Sequence, residues 1–225
     1  MPTLVIGNKL YSSWSLRPWI LMSHFGIAFE EVVVPMDQPT SASEIRKYSP
    51  TGKVPVLIDG DVVVWESIAI MEYVGDAYGA PVWPADRKAR ARARAVSAEM
   101  HAGFQTLRSA CPMNLGRKVA HRDRGEGVMR DIARVTQLFR ETRETFGAGG
   151  RFLFGEFSAA DAMFAPVVTR FETYSVPVDE VTRAYMDAIL SLPAYQAWLA
   201  AALDEQWVIP SSEVDEPLEI YRRAG

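Results

Sequence analysis

The stretch Asn8-Lys9-Leu10-Tyr11-Ser12-Ser13-Trp14-Ser15-Leu16-Arg17-Pro18-Trp19 sets three serines, three large aromatics and an arginine close to the N-terminus. Hydroxyls and a guanidinium are donors suited to an anion. The stretch has no thiol, and Cys111 is the only cysteine among 225 residues. An intrachain disulfide and a Cys-x-x-Cys zinc or redox spacing are therefore ruled out. Further along, Thr51-Gly52-Lys53-Val54-Pro55-Val56-Leu57 puts a proline at the start of an apolar strand, where it cannot donate to a ladder. A cis bond before Pro55 would turn the Val54 backbone outward and offer one N–H and one C=O to an extended peptide. Composition alone favours trans. Trp65-Glu66-Ser67-Ile68 places a carboxylate and a hydroxyl at a helix start. Free N–H groups there favour a ligand carboxylate, and Glu66 can accept an ammonium; taken alone, a plain cap is the simpler reading. Ser158-Ala159-Ala160-Asp161 has capping-box spacing, a structural device. His24, His101 and His121 show no metal-ligand spacing, and Cys111 reads as a buried structural thiol.

These segments need elements to hold them. Residues 3–6 read as a strand and 16–25 as a helix stopped by Gly26, with Pro18 tolerated in its first turn. Residues 29–34 are strand-like, and 41–48 form a short helix opened by serine. Residues 55–58 and 62–64 flank Asp59-Gly60, a strong hairpin signal. A helix over 66–78 closes a β-α-β-α-β-β-α order, which combines a parallel βαβ unit with an antiparallel hairpin. The proline-rich segment 81–86 is a linker. Beyond it strand signals vanish. Val96, Met100, Phe104 and Leu107 are spaced as one helix face, as are Val128, Ile132, Val135, Leu138 and Phe139, and then Tyr185 through Leu203 with a break at Pro193. Pro166 falls inside another helix and should kink it. Residues 87–205 look all-α, and the tail 211–225 is polar, acidic and aperiodic.

The chain is 48% hydrophobic and 23% charged with a formal net charge of −4, an ordinary soluble balance without the basic excess of a nucleic-acid binder. Asp86 to Ala95 carries five cations, but alternating Arg and Ala makes a good solvated helix. No apolar run reaches the roughly 18 residues of a membrane span. MPTLVIGNK lacks a basic leader and a small-residue cleavage site, so a cytoplasmic location is the simplest expectation.

In this order and at these spacings, the four segments resemble the glutathione transferase superfamily over nearly the whole chain up to Pro210. The serine-type classes, zeta among them, look nearest. The resemblance implies an α/β thioredoxin-like N-terminal domain over residues 1–80 and an all-α C-terminal helical bundle over 87–210. It also implies a homodimer, glutathione as co-substrate and no metal. By resemblance, Ser12 or Ser13 donates to the glutathione thiolate, with Ser12 preferred, and Arg17 adds positive potential. Val54, with Pro55 cis, holds the cysteinyl part; Glu66 and Ser67 hold the γ-glutamyl end; Lys53 reaches the glycine carboxylate. Tyr11, Trp14, Met100, Phe104 and Leu107 would line a pocket for a small apolar electrophile. Trp14 stands where the zeta-class loop Ser-Ser-Cys-x-x-Arg has its cysteine. That weakens the alternative of a maleylacetoacetate-type isomerase and argues against thiol-dependent branches. A non-catalytic binding protein on the same fold is the third reading.

Overall fold

The computed structural model describes residues 1–222. The N-terminal half runs β1 (Thr3–Ile6), α1 (Ser13–His24), β2 (Glu30–Val33), α2 (Ser41–Arg46), β3 (Val56–Asp59), β4 (Val62–Trp65) and α3 (Ser67–Tyr78). The sheet order is β2-β1-β3-β4. β1 pairs parallel to β2 and antiparallel to β3, and β3 and β4 form the hairpin. β1 is a continuous apolar run because it is central: Leu4, Val5 and Ile6 are wholly buried. The hairpin turn needs Gly60, whose φ is +61°. α3 ends on Gly79 in the left-handed conformation that terminates helices.

The second half contains α4 (Arg87–Ala102), α5 (Gln105–Ala110), β5 (Arg117–Val119), α6 (Glu126–Phe146), α7 (Ala159–Thr173), α8 (Glu180–Leu190), α9 (Pro193–Leu203) and β6 (Pro217–Ile220). α7 is its axis, with every residue except Glu172 buried. Its start is fixed by Asp161, whose carboxylate accepts from the Ser158 backbone N–H at 2.9 Å, the Ser158 hydroxyl at 2.8 Å and the Leu153 N–H at 3.0 Å. α7 packs against α1 and α4, so one apolar core runs through both halves. No helix among the described residues is long and apolar enough to cross a membrane. The basic start of α4 is capped by Asp86, and its cations turn to nearby acceptors: Arg94 to Glu72, and Arg92 to Glu141.

Three features differ from the sequence expectation. The single helix face through Met100 and Phe104 is broken, because Gly103 is extended and Phe104 takes φ +58°. A Cβ at Gly103 would meet the Glu99 carbonyl at 2.7 Å, which explains the glycine. The second half is not purely helical, since β5 and β6 form an antiparallel ribbon. The tail is therefore ordered up to Arg222, with a 3-10 turn at Pro210–Ser212 and a strand, while residues 223–225 lie outside the described part.

Candidate active site

Where β3, β4 and α3 meet, a cleft of about 220 Å³ opens, lined by Trp14, Thr51, Lys53, Val54, Pro55, Trp65, Glu66, Ser67 and Arg108. The Val54–Pro55 peptide bond is cis. Glu66 has φ +67° and ψ 124°, a conformation that side-chain-bearing residues rarely adopt, at the junction of β4 and α3. The first bond of α3 runs from the Ile70 N–H to the Glu66 carbonyl, and no side chain caps the helix. Its leading N–H groups are thus open to an anion in the cleft. Ser67 is completely buried, and among the described residues its hydroxyl has only the Met163 thioether for a partner, at 4.0 Å. Lys53 makes no ion pair among the described residues, so its ammonium is available at the rim.

The opposite wall is built on Trp14. The Arg17 guanidinium lies 4.0 Å and that of Arg108 4.7 Å from the Trp14 ring centroid, and the His101 ring meets it edge-on at 5.2 Å. Arg17 is 1% exposed. Its Nε donates to the Met163 carbonyl at 3.1 Å, and its Nη1 is buried with no partner among the described residues. Arg170 donates to the Cys111 carbonyl at 2.8 Å, the Pro166 carbonyl at 2.9 Å and Ser13 Oγ at 3.3 Å. Arg108 donates to the Gly103 carbonyl at 3.2 Å. None of these guanidiniums meets a carboxylate among the described residues, although buried charges are ordinarily paired. Burial, with the Arg170 and Arg108 charges, holds Arg17 well below the usual arginine range, and burial together with Arg108 pushes Arg170 down to about 10. A carboxylate does approach His101: Glu66 Oε2 lies 3.4 Å from His101 Nε2. Burial, aided by Arg17 and Arg108, lowers His101 against the opposing pull of Glu66.

The serine loop enters from below this wall. Ser12 is the N-cap residue of α1, yet its hydroxyl makes no capping bond; it donates to Ser15 Oγ at 2.8 Å. Ser15 Oγ in turn accepts from the Gly7 N–H at 3.1 Å. Ser12 is thus committed to a buried chain of hydroxyls. Ser13 accepts from Arg170, which leaves its own proton free.

The structure therefore gathers Trp14, Lys53, Val54, Pro55, Glu66 and Ser67 at one cleft, with Arg17 stacked on Trp14. Neither Ser12 nor Ser13 is among the lining residues, but Ser13 precedes Trp14 and touches Arg170. Tyr11, Met100 and Phe104 are placed elsewhere. Tyr11 turns its hydroxyl to Glu213 in the tail, Met100 is wholly buried in the core of α4, and Phe104 is spent on the break between α4 and α5. Arg108 and Arg170 escaped the sequence reading, and His101 entered it only as a histidine without metal-ligand spacing. A lone arginine within the apolar run of α7 was the one available signal, since arginine is almost never buried without a task.

Residues 11–77 match the family model of the glutathione S-transferase N-terminal domain, and residues 86–201 that of its C-terminal domain. A zeta-class glutathione S-transferase of Euphorbia esula is 28% identical over 203 residues, covering 87% of this chain and 89% of that protein. A probable maleylacetoacetate isomerase of Caenorhabditis elegans is 26% identical over 212 residues, covering 88% and 94%. Among solved structures, a glutathione transferase homologue from Burkholderia with bound glutathione superposes with a TM-score of 0.68 at 25% identity, covering 89% of this chain and 97% of that one. With both halves of the fold matched in order, the chain belongs to the glutathione S-transferase family of enzymes and is similar to its zeta-class members.

Proposed function

We propose that the cleft binds glutathione and that Ser13 holds its thiolate for attack on small electrophiles that carry a carboxylate. One observation supports this reading above the others. An uncapped helix start with Glu66 and Ser67 shares a cleft with a Trp14–Arg108 wall backed by guanidiniums that meet no carboxylate among the described residues. In this reading the γ-glutamyl carboxylate takes the free N–H groups of α3 and the Ser67 hydroxyl, and its ammonium takes Glu66. The Val54 backbone pairs with the cysteinyl unit, and Lys53 faces the glycine carboxylate. The thiol proton leaves to solvent, and the Ser13 hydroxyl and the arginine field stabilise the sulfur anion. The thiolate forms a C–S bond to the electrophilic carbon as the bond to the leaving group breaks and that group departs to solvent with the bonding electron pair. Ser13 replaces Ser12 as the preferred donor because Ser12 already donates to Ser15. A carboxylate on the substrate would supply the counter-charge that Arg17, Arg108 and Arg170 lack, so a purely apolar electrophile fits less well.

The same arginines favour a second reading, in which the thiolate adds to the double bond of an unsaturated acid and is later expelled, so that the net reaction is isomerisation. Calorimetric titration with glutathione tests the common premise, and no heat at millimolar ligand overturns both readings. Turnover then separates them: glutathione is consumed in conjugation and conserved in isomerisation. Binding without either turnover would leave a binding protein. A homodimer is also expected. Support comes from the edge strand β4, which exposes Val62, Val63 and Trp65, and light scattering at a mass of one chain would refute it.

A further inference from the structure

We propose that the C-terminal segment, residues 205–222, is a latch on the turn that leads into the serine loop, with Glu205 and Glu213 as its positioning residues. The inference rests on the reading above, in which the loop's Ser13 meets the thiol. The turn is closed on itself by the Tyr11 and Ser12 N–H groups, which donate to the Asn8 carbonyl at 3.2 and 2.7 Å. Its outward-facing polar groups are satisfied by the far end of the chain. The Lys9 and Leu10 N–H groups donate to the two carboxylate oxygens of Glu205 at 2.7 and 3.1 Å. Trp198 Nε1 donates to the Lys9 carbonyl at 3.0 Å. The Tyr11 hydroxyl donates to Glu213, and Arg222 Nη1 reaches the same hydroxyl at 3.5 Å.

The latch is itself fastened. Asn114 Nδ2 donates to Glu213 at 3.1 Å, and Arg117 pairs with the other Glu213 oxygen. The β5–β6 ribbon brings the Tyr221 N–H onto the Gly116 carbonyl at 2.8 Å, and Arg222 Nε donates back to the Glu205 carbonyl at 3.0 Å. Glu205 is buried, at 9% exposed. Apolar residues would cover the turn at less desolvation cost than a buried carboxylate. What a carboxylate adds is direction, because two oxygens aligned on two successive N–H groups fix the orientation of the peptide plane. That orientation sets where α1 begins, and hence where Ser13 and Trp14 face.

The test uses the full chain with Tyr11→Phe, Glu213→Ala and Glu213→Gln. Tyr11→Phe is the mild probe, since it leaves the Glu213–Arg117 pair in place if Glu213→Ala fails to fold. Tyr11→Phe and Glu213→Ala should lower kcat on the order of tenfold, because small misplacements of a reacting group are costly. The KM for glutathione should stay within about twofold, because the β3–α3 side of the cleft is untouched. The pH at which kcat reaches half its plateau should rise as the thiolate loses its aligned donor. Glu213→Gln keeps an acceptor for Tyr11 and should restore most of kcat. Hydrogen exchange of residues 8–16, measured without glutathione, should speed up in Tyr11→Phe and Glu213→Ala. Unchanged exchange in Tyr11→Phe overturns the latch, and so does faster exchange with kcat unchanged. If the parent protein binds no glutathione, the reading of the cleft fails and the exchange measurement alone judges the latch.

Discussion

Replacing Arg17 with methionine separates a functional cation from a structural one. In the free protein, Arg17 is 1% exposed, has one acceptor in the Met163 carbonyl, stacks 4.0 Å from Trp14 and leaves Nη1 unpaired. Burying an ion without a counter-charge costs several kcal/mol. Against this stand one charged hydrogen bond of about 1.5–3 kcal/mol and one desolvated cation–π contact of about 2 kcal/mol. Methionine keeps the volume of the stem, so the terms nearly cancel, and Arg17→Met should change unfolding free energy by no more than about 2 kcal/mol in either direction. A carboxylate-bearing substrate is another matter. It loses one charge-assisted interaction in a desolvated site, about 2–3 kcal/mol, which corresponds to roughly 30- to 150-fold in kcat/KM. The assay pairs urea unfolding with kcat/KM for two electrophiles that share a leaving group, only one of which carries a carboxylate. The loss should fall on the acid alone. Equal losses on both substrates would refute the anion-binding role. Destabilisation beyond about 3 kcal/mol with kcat/KM unchanged would make Arg17 a structural residue.

Ser13→Ala should lower kcat about 100-fold, as expected for removal of one aligned donor, while Ser12→Ala changes it less than about threefold. The opposite order would return the thiol to Ser12. Acid should weaken glutathione binding through His101. Its lowered value keeps it neutral at pH 7, and protonation below the ordinary histidine range places a cation 3.4 Å from Glu66, in competition with the ligand ammonium. Affinity measured by calorimetry from pH 8 down to 5 should therefore fall on the acid side, and His101→Gln should flatten that limb. Asp161→Ala leaves three buried donors unpaired and should cost at least about 3 kcal/mol in urea unfolding. Burial pushes Asp161 up to about 6, above its unfolded value. Its protonation therefore stabilises the fold most at low pH, and that contribution fades as pH rises through about 6, a slope absent from Asp161→Ala.

The order of elements in the first half was legible because its signals are local. An apolar run marks β1, Asp59-Gly60 marks the hairpin, and a glycine ends α1 and α3; in the second half, Ser158-x-x-Asp161 marks the start of α7 in the same local way. The residues of the β3–α3 cleft were legible for a related reason. Val54-Pro55 and Glu66-Ser67 sit at element boundaries, where backbone groups are left unpaired by the geometry of strands and helices themselves. The β5–β6 ribbon was not legible, since a three-residue strand with two cations has no periodicity and its partner lies about a hundred residues away.

The sequence by itself determined which groups are available: hydroxyls without a thiol before α1, a proline before β3, and a carboxylate and a hydroxyl at the start of α3. Tertiary structure alone decided how they are used. Arg17, Arg108 and Arg170 come from three different helices, α1, α5 and α7, and only tertiary packing gathers them around Trp14 and Ser13. Likewise Tyr11 looked like a pocket residue until the tail brought Glu213 to its hydroxyl. Local spacing reports what a residue can donate or accept, whereas burial and through-space charge depend on neighbours that the linear order does not reveal.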